Sequence, residues 1–231
     1  QLESDPTWGP VQFMAKADLV YDFAIEQGGV QWRELNAAFS PTTFMDVKVG
    51  RQILTWGTGD LVFLNDLFPK DYISFFIGRD IEYLKHPSDA IKVSVFHDVA
   101  NLDLVYVPQF DSDNYITGDR LSYYNPLLGR QTGRDLNVDK PDDWLEDDEI
   151  HARLYHNTEG GTELALYGYH GFWKSPMGVD PACGVFTFPE LTVWGASVRR
   201  SVGPGIGNVE AAYYDSREDR DGDNPFVPNS Q

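Results

Sequence analysis

Cysteine is almost absent from this sequence, because Cys183 is the only one among 231 residues. A single thiol cannot form a disulfide within the chain, so we expect no disulfide framework. Long apolar runs are absent as well, and no stretch approaches the roughly 18 residues that a membrane-spanning helix requires. This excludes a helical membrane protein. It does not exclude spanning strands, which are short and alternate between apolar and polar residues.

Basic residues are scarce relative to acidic ones. The chain has 18 Lys and Arg against 36 Asp and Glu, which gives a formal net charge of -18. Without a basic stripe to neutralise phosphates, we predict no nucleic-acid partner. An acidic chain of this kind suits solubility, cation-rich surroundings or a lumen that attracts cations.

Signatures of enzymes and metal sites are also missing. The sequence contains neither G-x-S-x-G nor a P-loop, and the glycines of 203–207 lie between two predicted strands. The five histidines show no metal-like grouping, and the acidic run 215–225 lacks the glutamate that a calcium loop carries at its twelfth position. We therefore predict no enzyme, no cofactor and no metal site.

Alternation between apolar and polar residues is the dominant pattern. Within 11–26, the odd positions from Phe13 to Ile25 are apolar, whereas Lys16, Asp18 and Asp22 occupy even positions. A helix would scatter these residues around its circumference, but a strand separates them onto two faces. Similar segments recur along the chain. They predict a single all-β domain over 1–231, with about eight antiparallel strands and alternately short and long connections.

Two all-β folds compete, a soluble β-sandwich and an outer-membrane β-barrel. The predicted strands run to about 9–16 residues, longer than the usual 5–6, and full charges lie on their polar face. Aromatic residues also fall near the strand ends, where interfacial girdles belong. These are Trp32, Trp56, Tyr106, Phe172, Trp173, Tyr213 and Tyr214. We therefore predict an antiparallel transmembrane β-barrel with long loops, in which lipid covers the apolar face and the polar face lines a lumen.

The polar faces supply the candidate channel residues. Gly50 is expected to mark a bulge that turns Arg51 toward the polar side of its strand. Opposed basic and acidic rows create a transverse field that sorts polar solutes, although many such rows only neutralise each other. The predicted pore-lining residues are Lys16, Asp18, Asp22, Arg33, Asp46, Lys48, Arg51, Lys92, Asp103 and Arg153.

The segment 58–87 does not alternate, and it contains the turn-forming stretch NDLFPKDY at 65–72. We expect a long loop, which we interpret as a candidate for folding inward to narrow the channel. The predicted constriction residues are Asp60, Asn65, Asp66, Lys70 and Asp71.

The stretch VKVGRQILTWGTGDLVFLNDLFPKDY, from Val47 to Tyr72, resembles the early region of large porin-like outer-membrane proteins of Gram-negative bacteria. The alginate-export-like and related uncharacterised porin families are examples of this resemblance. The resemblance implies an outer-membrane location, contact with lipid and lipopolysaccharide, and a homo-oligomer or a partner protein as options. Such barrels usually finish on an aromatic residue, whereas this chain finishes in the loop-like 221–231. We therefore expect the N-terminal part of a larger barrel of roughly 12–18 strands.

The leading functional hypothesis is a channel for diffusion or export of small polar solutes. One alternative is a barrel that acts as a sheath or scaffold for a threaded partner protein. Another is a soluble carbohydrate-binding β-sandwich that uses exposed Trp and Tyr as sugar platforms. Dependence on detergent separates the last from the first two, and conductance in a bilayer separates the first from the second.

Overall fold

The computed structural model describes residues 1–59, 61–134 and 136–231. Strands hold 53% of the residues and helices 4%, which confirms the all-β prediction. The strands are β1 (Leu2–Ser4), β2 (Thr7–Trp8), β3 (Val11–Asp22), β4 (Gln27–Thr42), β5 (Met45–Ile53), β6 (Pro87–Val95), β7 (Asn101–Val107), β8 (Tyr123–Asn125), β9 (Arg130–Thr132), β10 (Val138–Asp139), β11 (Glu149–Asn157), β12 (Thr162–Phe172), β13 (Gly178–Asp180), β14 (Val185–Thr187), β15 (Glu190–Val202) and β16 (Gly205–Ser216).

One large antiparallel sheet dominates the molecule. Its nine long strands pair in the order β3, β4, β5, β6, β7, β11, β12, β15 and β16, so each strand lies beside its nearest long neighbour in the sequence. Strands β1 and β2 lie along β3 at one edge. Within the described residues, β16 is not paired with β1 or β3, so the sheet is open at both edges.

The remaining elements lie in the long connections. Strands β8 and β9 form a hairpin, and β10, β14 and β13 form a small three-stranded sheet. Helix α1 (Tyr72–Phe76) and a 3-10 helix (Ile81–Leu84) follow β5. No helix among the described residues has both the length and the apolar character needed to cross a membrane.

Connections at the two ends of the large sheet differ in length. At one end, which we call the turn rim, the long strands are joined by the short turns 43–44, 96–100, 158–161 and 203–204. At the other end, the loop rim, the connections are 54–86, 108–148 and 173–189, together with the short turn 23–26. Every long connection therefore emerges at the same rim.

The two faces of the large sheet have opposite character. One of them, which we call the apolar face, presents an exposed apolar side chain on each of the nine long strands. In chain order these are Leu19, Leu35, Val49, Ile91, Leu104, Leu154, Leu166, Val198 and Val209. The other, the inner face, carries buried polar residues such as Gln52, Ser88 and His151.

The hydrophobic core lies on the inner face. Leu54, Trp56 and Phe68 of the connection 54–86 pack against Val105 and Tyr167 of the sheet. A second cluster joins Trp173 to the inner side of β12 and β15. Long connections cover this face, whereas a sandwich buries the apolar faces of two sheets against each other.

The expected bulge at Gly50 is wrong. The pairing of β5 with β6 continues without a shift from Met45 to Ile53, and Gly50 has a positive φ of 114°. A Cβ at Gly50 would lie 2.5 Å from the carbonyl oxygen of Leu35, so glycine is required by the close approach of β4. Arg51 therefore stays on the apolar face, where its Nε lies 3.0 Å from a carboxylate oxygen of Asp89.

Three of the aromatic residues expected at a girdle lie elsewhere. Trp56 and Trp173 are buried in the core of the inner face. The ring of Tyr214 stacks on Trp173 with a centroid distance of 5.5 Å, and it also belongs to the inner side. Trp194 and Tyr213 are exposed on the apolar face. A position near a strand end did not separate girdle residues from core residues, because aromatic side chains also anchor loops.

Candidate functional site

The most distinctive feature of the inner face is the segment 54–71, described except for residue 60, which we call the plug. It leaves the end of β5 and reaches the last strand of the sheet. The hydroxyl of Thr58 donates to Glu210 at 2.8 Å, and the amide of Asn208 donates to the carbonyl of Thr58 at 2.6 Å. The hydroxyl of Tyr214 donates to the carbonyl of Leu64 at 2.8 Å. The plug therefore crosses the inner face from β5 to β16.

An aromatic cluster anchors the plug at the middle of the sheet. Phe68 is 1% exposed, and its ring stacks on His151 of β11 with a centroid distance of 4.3 Å and an interplanar angle of 20°. Trp56 meets Phe68 edge to face at 5.0 Å. Aromatic side chains dominate the energetics of protein cores because each buries a large apolar surface. Phe68 and Trp56 therefore anchor the plug.

A glycine in β15 provides a second contact site for the plug. A Cβ built on Gly195 would lie 1.8 Å from Oδ1 of Asn65, so any larger residue would collide with this side chain. The Nδ2 group of Asn65 donates to the carbonyl of Ala196 at 3.4 Å. This close approach fixes the turn of the plug against the centre of β15.

Four of the five predicted constriction residues are buried and contact other groups of the protein. Nζ of Lys70 lies 3.1 Å from Oδ1 of Asp66, and both side chains are less than 5% exposed. Burial lowers the pKa of Lys70, and the carboxylate of Asp66 opposes that shift. Asp71 caps α1 by accepting from the backbone N–H of Ser74 at 2.8 Å. Asn65 is buried as well, whereas Asp60 lies outside the described residues.

A second buried ion pair ties the other long connections together. Lys174 pairs with Glu149, the first residue of β11, and its Nζ also donates to the carbonyl of Asp111 at 3.0 Å. The hydroxyl of Tyr169 donates to Oε1 of Glu149 at 2.6 Å. Alternation in the sequence assigns Glu149 to the polar face of its strand, but no spacing connects it to Lys174. Sequence reasoning therefore missed this network.

Asp113 joins the plug to the later connections. Its carboxylate accepts from the backbone N–H of Lys70 at 2.7 Å and from the hydroxyl of Ser175 at 2.6 Å. Burial raises the pKa of Asp113, and these two hydrogen bonds partly offset the rise. Three separate segments therefore meet at one carboxylate.

Replacing Asp113 by asparagine is expected to remove a pH-dependent loss of stability. Because the pKa of Asp113 in the folded protein is above its ordinary value of 3.8, the folded state holds this proton more tightly than the unfolded state. The free energy of unfolding of the wild type should therefore fall, relative to the variant, as pH rises from about 4 through the raised pKa. Asparagine keeps the acceptor for Lys70 and can donate to Ser175. Urea unfolding of both proteins across this pH range measures the difference between their free energies of unfolding. A difference that does not change with pH would contradict a raised pKa of Asp113 in the folded protein.

Nine of the ten predicted pore-lining residues lie on the inner face, and Arg51 is the exception. Four basic–acidic contacts account for five of these nine. They are Lys48–Glu34 at 3.3 Å, Lys92–Asp103 at 3.8 Å, Arg153–Glu163 at 2.9 Å and Arg120–Asp22 at 2.8 Å. Asp46 accepts from the hydroxyl of Ser40 at 2.6 Å. Lys16, Asp18 and Arg33 make no ion pair within the described residues, and Asp18 is buried without a hydrogen-bond partner there. Much of the charge on this face is neutralised locally.

An open cleft of about 1020 Å³ lies at the loop rim, between the β3–β4 hairpin and α1. Ile73 of α1 and Ile77, which follows this helix, line the cleft together with Asp22 and Arg120.

No known family model and no curated protein matches this chain. The resemblance of Val47–Tyr72 to porin-like proteins therefore stays a prediction. Among the described residues there is also no group of three or more His, Cys, Asp or Glu side chains that could hold a metal ion.

Proposed function

We propose that this protein forms part of the wall, and the inward plug, of an outer-membrane channel for small polar solutes. The exposed apolar face carries this proposal. Nine neighbouring strands each present an exposed aliphatic side chain, and no second layer of described residues covers them. Contiguous apolar surfaces beyond a few hundred Å² mark interaction or membrane sites. In the proposed channel this surface is covered by lipid.

Strand length agrees with a membrane span. Seven of the nine long strands have 9–13 residues, β4 has 16 and β7 has 7. A tilted spanning strand needs about 9–11 residues. The grouping of the long connections at one rim also agrees, because outer-membrane barrels combine short periplasmic turns with longer extracellular loops. The proposal therefore places the loop rim outside the cell.

The proposed channel requires further strands in addition to the nine long strands, and these must pair with both edges of the large sheet. Unpaired backbone groups in hydrocarbon cost several kcal/mol each, so an open edge does not persist there. The edge of β16 accepts such pairing, because the backbone N–H of Tyr214 donates to the carbonyl of Gln231 at 2.8 Å and the return bond is 3.0 Å. Gln231 occupies the position that the next strand would take.

The plug accounts for selection by size. It is held across the inner face by Phe68, Asn65 and the buried Lys70–Asp66 pair. Because Lys70 and Asp66 neutralise each other, this pair adds little to the electric field in the space that the plug narrows. Solutes in the proposed channel pass beside the plug. They move along an inner face whose remaining polar groups form rows of basic and acidic side chains.

Conductance tests this function. The full-length protein, purified in detergent and added to a planar lipid bilayer, is expected to produce discrete single-channel steps. Stable insertion without conductance would contradict the channel and favour a sheath around a partner protein. A monodisperse protein in buffer without detergent would contradict both, and would favour a soluble carbohydrate-binding protein.

A further inference from the structure

A cavity of about 480 Å³ lies between the inner face of β3 and β4 and the 3-10 helix Ile81–Leu84. Lys16 of β3, Arg33 of β4 and Lys85, which follows the 3-10 helix, line it. Ile53 and Ile81 supply apolar wall, and Glu82 is the one acidic residue in its lining. Three cations therefore converge on one small space in a chain whose net charge is -18.

None of these three cations forms an ion pair within the described residues, although Glu82 lines the same cavity. The nine ion pairs found there use nine other basic residues, and none includes Lys16, Arg33 or Lys85. Two acidic residues, Glu3 and Glu34, lie opposite Lys16 in the neighbouring strands. Neither comes within 4.0 Å of it, and Glu34 pairs with Lys48 instead. With acidic residues twice as numerous as basic ones, three unpaired cations at one place need an explanation.

Among the three cations, Arg33 gives the best evidence for an anion site. It is only 6% exposed, and the one hydrogen bond of its guanidinium within the described residues runs from Nη2 to the carbonyl of Glu82 at 3.1 Å. The guanidinium also lies 5.0 Å from the centre of the Tyr83 ring. A guanidinium has five N–H donors, so most of them are not used. Burial of a charge is costly unless an opposite charge accompanies it, and the planar fork of arginine fits the two oxygens of an oxyanion.

We propose that this cavity binds the oxyanion group, a phosphate or a carboxylate, of a small solute. Its volume falls in the range of small-molecule sites, and its apolar wall suits the remainder of such a solute. Arg33 receives two oxygens of the anion, and Lys16 and Lys85 supply further positive charge. Binding itself does not depend on the proposed channel. Only the statement that the occupant is a solute in transit rests on that function.

Equilibrium dialysis of the full-length protein in detergent tests the site. The two probes are radiolabelled inorganic phosphate and radiolabelled acetate, and we expect saturable binding of at least one, with one site per chain. The probe that binds more tightly shows whether the cavity prefers a phosphate or a carboxylate group. Arg33→Gln is expected to weaken binding on the order of tenfold or more, because it removes a charge-assisted bidentate contact. Arg200→Gln is the matched control, since it removes the charge of an exposed arginine on β15, outside the cavity, and should leave binding unchanged.

The outcomes separate this site from the channel. Absence of saturable binding for both probes overturns the site, and so does an Arg33→Gln protein that binds as the wild type does. If Arg33→Gln does not fold, Lys85→Gln on the connecting segment takes its place, with a weaker affinity expected. Saturable binding by a protein without conductance supports the site and contradicts the channel. Conductance without saturable binding overturns the site alone.

Discussion

Leu166→Arg is expected to impair folding into lipid vesicles severely. Leu166 lies in the middle of β12 on the apolar face, and it is 57% exposed. If lipid covers this face, an arginine near the bilayer midplane costs about 2–4 kcal/mol. If water covers it, a surface substitution of this kind changes the free energy of unfolding by no more than about 0.5 kcal/mol. Urea titration of folding in vesicles, followed by tryptophan fluorescence, measures the difference.

Leu128→Arg is the matched control for this substitution. Leu128 is 52% exposed, and it lies in the turn between β8 and β9, within a long connection at the loop rim. The same chemical change at this position should leave folding unaffected, because the side chain remains in water. Equal effects at both positions would contradict a lipid-covered face.

Phe68→Ala is expected to release the plug. The substitution removes the ring that stacks on His151 and contacts Trp56, and it leaves a cavity under the segment 54–71. Truncation of a buried phenylalanine lowers the free energy of unfolding by about 3–5 kcal/mol. In a planar bilayer the variant should show a larger single-channel conductance than the wild type. Limited proteolysis should cut the released segment sooner.

Phe76→Ala controls for the loss of an aromatic side chain in the same connection. Phe76 is 60% exposed at the end of α1, so its removal should change stability by no more than about 0.5 kcal/mol and leave the conductance unchanged. If Phe68→Ala conducts as the wild type does, the plug does not narrow the channel.

The faces of the sheet could be predicted from the sequence because the period of a strand is two. Once Leu19 and Asp18 are assigned to opposite faces, the pattern continues along the strand unless a bulge intervenes. Such pattern reasoning failed at Gly50. A glycine in a strand has two common causes, a bulge or the close approach of another backbone, and the sequence alone does not distinguish them. Arg51 was therefore assigned to the wrong face.

The interior of the site could not be predicted in the same way. Two contacts depend on how the long connections fold back on the sheet. They are the close packing of Asn65 on Gly195 and the ion pair of Glu149 with Lys174. Contacts of this kind follow from tertiary packing and leave no periodic signal. Burial also changed the role of the predicted constriction residues, because Asp66 and Lys70 pair with each other. A charged residue in a loop suggests an exposed group until its partner is known.

Site-directed spin labelling in lipid vesicles measures what covers the sheet. Labels are placed one at a time at Leu154, Leu166, Val198 and Leu128, in a background in which the exposed Cys183 is replaced by serine. Collision rates with oxygen, which concentrates in lipid, are compared with those of a water-soluble nickel complex. We predict frequent oxygen and rare nickel collisions at the first three positions, and frequent nickel collisions at Leu128. Equal access of the nickel complex to all four positions would show that water wets the apolar face, and would contradict a membrane-spanning sheet.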